Sequence, residues 1–417
     1  MSKKFIIEGG NRLFGELKVQ GSKNSSLPIL AATLLTDEEC VIHNCPNISD
    51  VKAALEILKT LGCNTEYKDG TVKVKVVNDD MTCIPEYLMK TMRSSVMFLG
   101  SLLAKRRSAE ICRPGGCRLG ERPIDIHLNA LTKLGVSVKE YKNCILCSVG
   151  SIAERDITLL YPSVGATENI MLACAGSGVK IRIYNPAREP EIVELQNFLN
   201  LMGAKISGAS SDVIVIEATK GLHGCEYTLM SDRIVASTYA CMTAACGGDV
   251  VLKDADSNRI KPIIEALRTI GCIVTERENE IEIISDGKNY GLDNIKALPY
   301  PSFPTDVQPI LAATLCSAKG ESKIIDAVFE NRFSYSQELK KMGAVLKRIN
   351  QTLLISGVPS LKGAEVYAKD LRGGAALVCA GLGASGITEV KNIEYIDRGY
   401  EKLEDALTLL GAKITRN

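Results

Sequence analysis

Residues 400–414 read Tyr-Glu-Lys-Leu-Glu-Asp-Ala-Leu-Thr-Leu-Leu-Gly-Ala-Lys-Ile. Apolar positions return at three- and four-residue steps as far as Leu410, the mark of a helix with one buried face. Gly411 then supplies a left-handed helix cap, and Ala412-Lys-Ile414 opens a short strand. The pattern recurs along the whole chain. An apolar residue followed by Gly closes a helix-like segment at Leu61-Gly62, Leu134-Gly135, Met202-Gly203, Ile270-Gly271, Met342-Gly343 and Leu410-Gly411, with spacings of 73, 68, 68, 72 and 68 residues. Regularity of this kind signals a repeated supersecondary unit.

Upstream of each amphipathic helix lies a second helix of small and apolar residues. Examples are Leu27-Pro-Ile-Leu-Ala-Ala-Thr-Leu-Leu35, Ile170-Met-Leu-Ala-Cys-Ala175 and Ile310-Leu-Ala-Ala-Thr-Leu315. Being apolar nearly all round, it belongs in a core. A β-branched strand follows, as in Lys180-Ile-Arg-Ile183 and Asp249-Val-Val-Leu252. The unit therefore reads helix, strand, amphipathic helix, strand pair. Its buried helix is expected to start near Lys23, Arg93, Ser163, Arg233, Asp306 and Arg372. Helix N-termini carry partial positive charge, so six such ends facing one cleft would suit phosphate groups.

These periods predict an α/β protein of two lobes with three units each: residues 22–230 as the first, residues 1–21 with 231–417 as the second. The opening segment reads as two strands, Phe5-Ile6-Ile7 and Leu17-Lys18-Val19, able to complete the second lobe.

Composition narrows the function. The chain of 417 residues carries 50 basic and 49 acidic side chains, so there is no global field for nucleic acid or an anionic membrane. Anion binding must come from local clusters. Fifteen Cys without a secretory leader point to a reducing cytoplasm, most of them as small buried hydrophobes. Gly381-Leu-Gly383-Ala-Ser-Gly386 matches a dinucleotide fingerprint, but in the repeat register it ends a helix and leads into a strand, the reverse of what that loop requires. Cys144-Ile-Leu-Cys147 lacks a second ligand pair, and His43, His127 and His223 are dispersed, so no metal site is expected.

Residues 112–127 stand out, reading Cys-Arg-Pro-Gly-Gly-Cys-Arg-Leu-Gly-Glu-Arg-Pro-Ile-Asp-Ile-His. The Gly and Pro content and extra length suggest an exposed, mobile loop. Arg113, Arg118 and Arg122 near Cys117 would favour its thiolate. The residues alone leave a reactive thiol and an inert surface thiol equally open.

A set of motifs stands in order along the chain: Gly21-Ser-Lys23-Asn24, Arg93, Pro114-Gly-Gly-Cys117, Arg122-Pro-Ile-Asp125, Ser163-Val-Gly165-Ala-Thr167, Ala187-Arg-Glu-Pro-Glu191, Phe303-Pro-Thr-Asp306, Phe329-Glu-Asn-Arg332, Asp370-Leu-Arg372 and Ile396-Asp-Arg398-Gly-Tyr400. Together they closely resemble the UDP-N-acetylglucosamine enolpyruvyl transferases, which catalyse the first committed step of bacterial peptidoglycan synthesis, and the likeness runs nearly end to end.

The resemblance implies a two-lobed inside-out α/β barrel of six βαβαββ units around buried helices. It implies transfer of the enolpyruvyl group of phosphoenolpyruvate to the 3′-hydroxyl of UDP-N-acetylglucosamine, through a tetrahedral ketal, with phosphate released and no cofactor or metal. Lys23, Asn24, Arg122, Arg398, Arg332 and Arg372 would hold phosphoenolpyruvate, the planar guanidinium fork suiting both its phosphate and its carboxylate. Arg93, Arg122, Pro123, Ile124, Asp125, Ile126, Ser163, Val164, Gly165, Asp306 and Val328 would hold the sugar nucleotide. Lys23, Cys117 and Asp306 would be the catalytic groups, with Asp306 as the base near the hydroxyl. A carboxylate among arginines is a weak base, so its positioning would matter more than its basicity. Cys117 would be the loop thiol that fosfomycin alkylates, acting as general acid at C3 or in product release. Closure of the lobes, with the Cys117 loop as a lid, is also expected.

Two departures from some relatives are visible: Met97 stands where they carry Trp, and Gly373-Gly374 where they carry Ala-Ser. Neither removes a charge. The shikimate-pathway enolpyruvyl transferase shares the fold and donor but lacks the loop cysteine. A non-catalytic sugar-nucleotide binder would lack one of Lys23, Cys117, Asp306 or Arg398, and an RNA-binding protein would carry a basic face or aromatic platform.

Overall fold

The computed structural model describes residues 3–112, 124–142 and 144–417. They form two compact units, residues 3–20 with Ser231–Asn417 and residues 21–112 with 124–230. The architecture is α/β with mixed sheets, and among the described residues each unit contains three of them.

One sheet pattern is repeated. In the first repeat the order is Glu226–Thr228, Cys40–His43, Thr71–Val76, Cys63–Lys68; the first pair is parallel and the other two antiparallel. The fourth repeat has the same order, Leu13–Lys18, Gly248–Lys253, Glu280–Ser285, Ile273–Arg277. In the second repeat the sheet keeps only Ser108–Ile111, Ile145–Ser148 and Ser137–Glu140 as strands, and its parallel neighbour shrinks to a bridge between Cys83 and Glu110.

In each unit, chain from one end of the repeat series joins a sheet at the other end. Lys4–Glu8 inserts between Ile387–Lys391 and Lys413–Arg416, antiparallel to both. Leu13–Lys18 then pairs with Gly248–Lys253. In the other unit Glu226–Thr228, after the third repeat, returns to Cys40–His43 of the first. Alternating burial along these strands places one face in the core, as in Glu321–Asp326.

The small-residue helices fill the unit interiors. Leu371–Gly383, Gln308–Leu315 and Arg233–Cys246 are buried nearly throughout. They meet at Thr314, whose Oγ1 donates to Cys241 O at 3.1 Å and lies 3.6 Å from Cys379 Sγ. In the other unit the interior helices are Lys23–Ala32, Phe98–Arg106 and Val164–Cys174. Cutting one buried Leu such as Leu311 back to Ala would cost about 2–5 kcal/mol.

The six cap glycines all adopt positive φ, from +85° at Gly62 to +111° at Gly271. Each donates its N–H to the carbonyl three residues back, for example Gly411 to Thr408 at 2.9 Å. The apolar residue before each is buried. This pairing of an αL glycine with an inward apolar anchor is the physical content of the sequence repeat.

The helices start near the expected residues, with one clear delay. Arg93 opens a 3-10 turn, Arg93–Met97, and the α-helix begins only at Phe98. Asp306 precedes its helix, which runs Gln308–Leu315 with Pro309 in the first turn. Ser163 is the N-cap of Val164–Cys174, its Oγ accepting from Ala166 N at 3.4 Å. The glycines at 381–386 end the helix Leu371–Gly383 and precede the strand Ile387–Lys391. Every cysteine described is free, and most are buried. No described helix is long and apolar enough to cross a membrane.

Candidate functional site

Residues 113–123, which include Cys117, Arg122 and Pro123, lie outside the described residues. The other expected site residues fall into two groups, one in each unit.

In the unit containing residues 21–112, Lys23 is the first residue of its helix. Gly21 sets the approach, because a Cβ there would lie 1.7 Å from Asn44 O. Ser22 caps the helix by accepting from Ser25 N at 3.2 Å, while its own N–H bonds Met230 O at 2.8 Å. The Lys23 ammonium is thereby aimed at Asp50 in the first turn of Ser49–Thr60, with Nζ 2.9 Å from Oδ2. The side chains are only 10% and 3% exposed. Asn24, next along, is half-buried.

The same unit holds most of the described residues expected at the nucleotide, Asp306 and Val328 being in the other. Ser163, Val164 and Gly165 form the start of Val164–Cys174. Ile124 is buried just ahead of Asp125–Lys133, with Asp125 exposed and Ile126 half-buried on its first turn. Gly165 lies against the His127 ring, and an added Cβ would sit 2.7 Å from its Cε1. Asn169 connects these pieces. Its Oδ1 accepts from Gly100 N at 2.7 Å, and its Nδ2 donates to His127 Nδ1 at 2.9 Å, Val96 O at 3.2 Å and Gly165 O at 3.3 Å.

In the other unit Asp306 is gripped by two arginines. Its Oδ1 lies 2.6 Å from Arg332 Nη2, and its Oδ2 lies 3.2 Å from Arg372 Nη2 and 3.3 Å from Arg372 Nε. The guanidinium-bearing side chains are 2% and 3% exposed, and Asp306 is 28% exposed. Arg332 Nε also donates to Thr305 O at 2.9 Å. Burial alone would make Arg372 easier to deprotonate, but Tyr400, Asp306 and Asp232 raise it above the ordinary arginine value, so it stays charged. Its guanidinium stands 5.5 Å over the Tyr400 ring, and the Tyr400 hydroxyl meets Thr238 Oγ1 at 2.9 Å.

Asp326, fully buried, ties Asp306 to Val328. One oxygen accepts from Thr305 Oγ1 at 2.6 Å; the other accepts from Val328 N at 3.0 Å and Phe329 N at 2.9 Å. Arg398 ends the 3-10 turn Ile393–Arg398. The Gln20 side chain grips the chain just beyond it, donating to Gly399 O at 3.2 Å and accepting from Glu401 N at 2.8 Å. Asp370 caps Leu371–Gly383 through Arg372 N and Gly373 N. At Gly374 a Cβ would lie 2.7 Å from Ile396 Cγ1, so Ile396 fills the space a side chain would take.

Sequence reasoning therefore named the charged groups but missed Asp50, the partner of Lys23, and Asp326, Asn169 and Gln20, which hold the neighbouring chain. Helical phase on Ser49–Thr60 marks Asp50 as an inward carboxylate, the one signal available in the sequence.

A family model described as EPSP synthase (3-phosphoshikimate 1-carboxyvinyltransferase) matches residues 7–407. The enolpyruvyl transferase NikO from Streptomyces tendae superposes with a TM-score of 0.89 at 24% identity, covering 100% of this chain and 99% of that one. EPSP synthase from Acinetobacter baumannii superposes with a TM-score of 0.77 at 18% identity, each chain covered in full. Fold and family model thus define a carboxyvinyltransferase of the EPSP synthase class. A UDP-N-acetylglucosamine 1-carboxyvinyltransferase 2 from Caldanaerobacter subterraneus subsp. tengcongensis is 48% identical over 416 residues, 99% of each chain. The UDP-N-acetylglucosamine 1-carboxyvinyltransferase of Thermotoga maritima is 41% identical over 413 residues, 99% of this chain and 98% of that one. The chain belongs to the UDP-N-acetylglucosamine 1-carboxyvinyltransferase family.

Proposed function

We propose that this chain transfers the enolpyruvyl group of phosphoenolpyruvate to the 3′-hydroxyl of UDP-N-acetylglucosamine in bacterial peptidoglycan synthesis, in the cytoplasm. The observation that carries this reading is the 48% identity to a named relative along 99% of both chains. In the addition step the sugar oxygen bonds to C2 of phosphoenolpyruvate, the hydroxyl loses its proton and C3 gains one. In the elimination step C3 gives up a proton and the C2–O bond to phosphate breaks.

Lys23, Asn24, Arg122, Arg332, Arg372 and Arg398 are assigned to phosphoenolpyruvate. Arg93, Arg122, Pro123, Ile124, Asp125, Ile126, Ser163, Val164, Gly165, Asp306 and Val328 are assigned to the sugar nucleotide. Asp306 is assigned to the reacting hydroxyl. With each of its oxygens facing a guanidinium it is a weak base, so its first contribution is to orient the acceptor. Cys117 is assigned as the proton-handling or product-releasing thiol and the point of attack for fosfomycin. Each unit is read as an inside-out barrel, supported by helices buried all round and strands buried on one face.

Acceptor competition tests the reading. Mass spectrometry of reactions containing UDP-N-acetylglucosamine and shikimate 3-phosphate together should detect only the enolpyruvyl ether of the sugar nucleotide. Conversion of shikimate 3-phosphate would move the chain to the other acceptor. Cys117→Ala should abolish fosfomycin labelling, and undiminished labelling would remove Cys117 from its role.

A further inference from the structure

Within the unit containing residues 21–112, the nucleotide residues assigned above come from three separate stretches, and one buried side chain bonds the segment that carries each of them. Asn169 is wholly buried on the second turn of Val164–Cys174. Its Nδ2 reaches back to Gly165 O, across to Val96 O in the turn that Arg93 opens, and to His127 Nδ1 on the helix that follows Ile124.

The amide has only one workable orientation. Oδ1 faces the Gly100 N–H at 2.7 Å, and a backbone N–H can only donate. The NH2 group must then face the two carbonyls and His127 Nδ1, sharing two hydrogens among three acceptors, with His127 the nearest at 2.9 Å. His127 Nδ1 must therefore be bare, which leaves the proton of the neutral ring on Nε2. That ring packs on Gly165, where no side chain would fit. Adding a proton at Nδ1 would set two donors against each other and push the ring from its seat.

We propose that Asn169 is a positioning residue for the sugar nucleotide, holding the Arg93 turn and the Ser163–Gly165 turn in register by fixing His127 as its neutral Nε2–H tautomer. The proposal rests on the assignment of those turns to UDP-N-acetylglucosamine. Asn169 acts through backbone and ring contacts and need not touch the substrate.

The test uses the full chain labelled with 15N-histidine, which contains three His. His127 is assigned by the signal missing in His127→Gln. In the unsubstituted protein at neutral pH, its Nδ1 should resonate in the far-downfield position of a bare imidazole nitrogen and Nε2 in the protonated position. Asn169→Asp keeps the acceptor for Gly100 but replaces the NH2 group by oxygen, so His127 should acquire a proton at Nδ1. Nucleotide affinity, measured by calorimetry with UDP-N-acetylglucosamine alone, should fall about tenfold or more. The KM for phosphoenolpyruvate should stay within about twofold, since none of Lys23, Asn24, Arg332, Arg372 and Arg398 is among the Asn169 contacts. A protonated Nδ1 in the unsubstituted protein overturns the proposal, and this holds whether or not the variant folds. Unchanged nucleotide affinity in a folded Asn169→Asp overturns it too. An unsubstituted protein with a bare Nδ1 that binds no UDP-N-acetylglucosamine overturns the substrate assignment instead, and the positioning role for that ligand falls with it.

Discussion

Lys23 Nζ stands 2.9 Å from Asp50 Oδ2, and both side chains are almost completely withdrawn from water. Two charges in such a place need each other, since either one alone would keep its desolvation cost without its partner. The pair also holds the lysine near the end of a helix whose interior positions are fixed by packing, so Asp50 sets where the cation sits.

Asp50→Ala should destabilise the protein by about 3–5 kcal/mol in denaturant titrations, because it removes the carboxylate 2.9 Å from a buried ammonium. Asp50→Asn, which keeps an oxygen near Nζ, should lose less. Lys23→Ala should stop turnover or sharply raise the phosphoenolpyruvate requirement. Equal stability of the Asp50 variants and the unsubstituted protein would show that the pair carries no structural weight.

Asp306→Ala exposes the other buried charge cluster. It removes the carboxylate that both buried guanidiniums, Arg332 and Arg372, face, so a stability loss of about 3–5 kcal/mol is expected. Turnover should fall at least about 100-fold in both Asp306→Ala and Asp306→Asn, the scale of a lost acid–base or orienting group. Steady-state kinetics beside thermal melts of the two variants separates the catalytic loss from the structural one.

Glu168 gives a pH prediction. It is fully buried, neither carboxylate oxygen has a hydrogen-bond partner among the described residues, and burial with Glu191 and Glu189 nearby raises its pKa well above the usual carboxylate value. The folded state then binds a proton more tightly than the unfolded chain. The associated stability is present below the ordinary carboxyl range and is lost as pH rises toward the raised folded value. Glu168→Gln mimics the neutral acid, so its melting temperature relative to the unsubstituted protein should climb as pH rises above the ordinary carboxyl range. A difference that stays flat with pH would mean that Glu168 is not a proton-binding site on folding.

The cap glycines should differ in sensitivity although their sequence context is equivalent. At Gly343 a Cβ meets nothing within 4 Å, so Gly343→Ala should cost only the left-handed backbone penalty of roughly 1–2 kcal/mol. At Gly62 a Cβ would lie 2.2 Å from Asn78 O, so Gly62→Ala must also displace the backbone and should cost more than about 3 kcal/mol. Chemical denaturation of the two variants checks the order.

The repeat was readable because its signals are local: an αL glycine, the apolar residue before it, and a helix period upstream. The exceptions arose where local signals mislead. Arg93 sits in a 3-10 turn, and the helix after Asp306 begins only at Gln308, although both align with true helix starts in other repeats. The charged residues assigned to the site were named through motifs. What orients them was not, because Asn169 meets Gly100 and Val96 across 69 and 73 residues, and Gln20 meets Gly399 across 379. Such contacts are made by packing between repeats and leave no periodic trace in the chain.

Phosphate release from phosphoenolpyruvate, followed continuously with folded protein, tests the central claim most directly. The expected result is release that requires UDP-N-acetylglucosamine and matches the enolpyruvyl ether formed one for one. Absence of release with both substrates present, from protein that melts cooperatively, would contradict it.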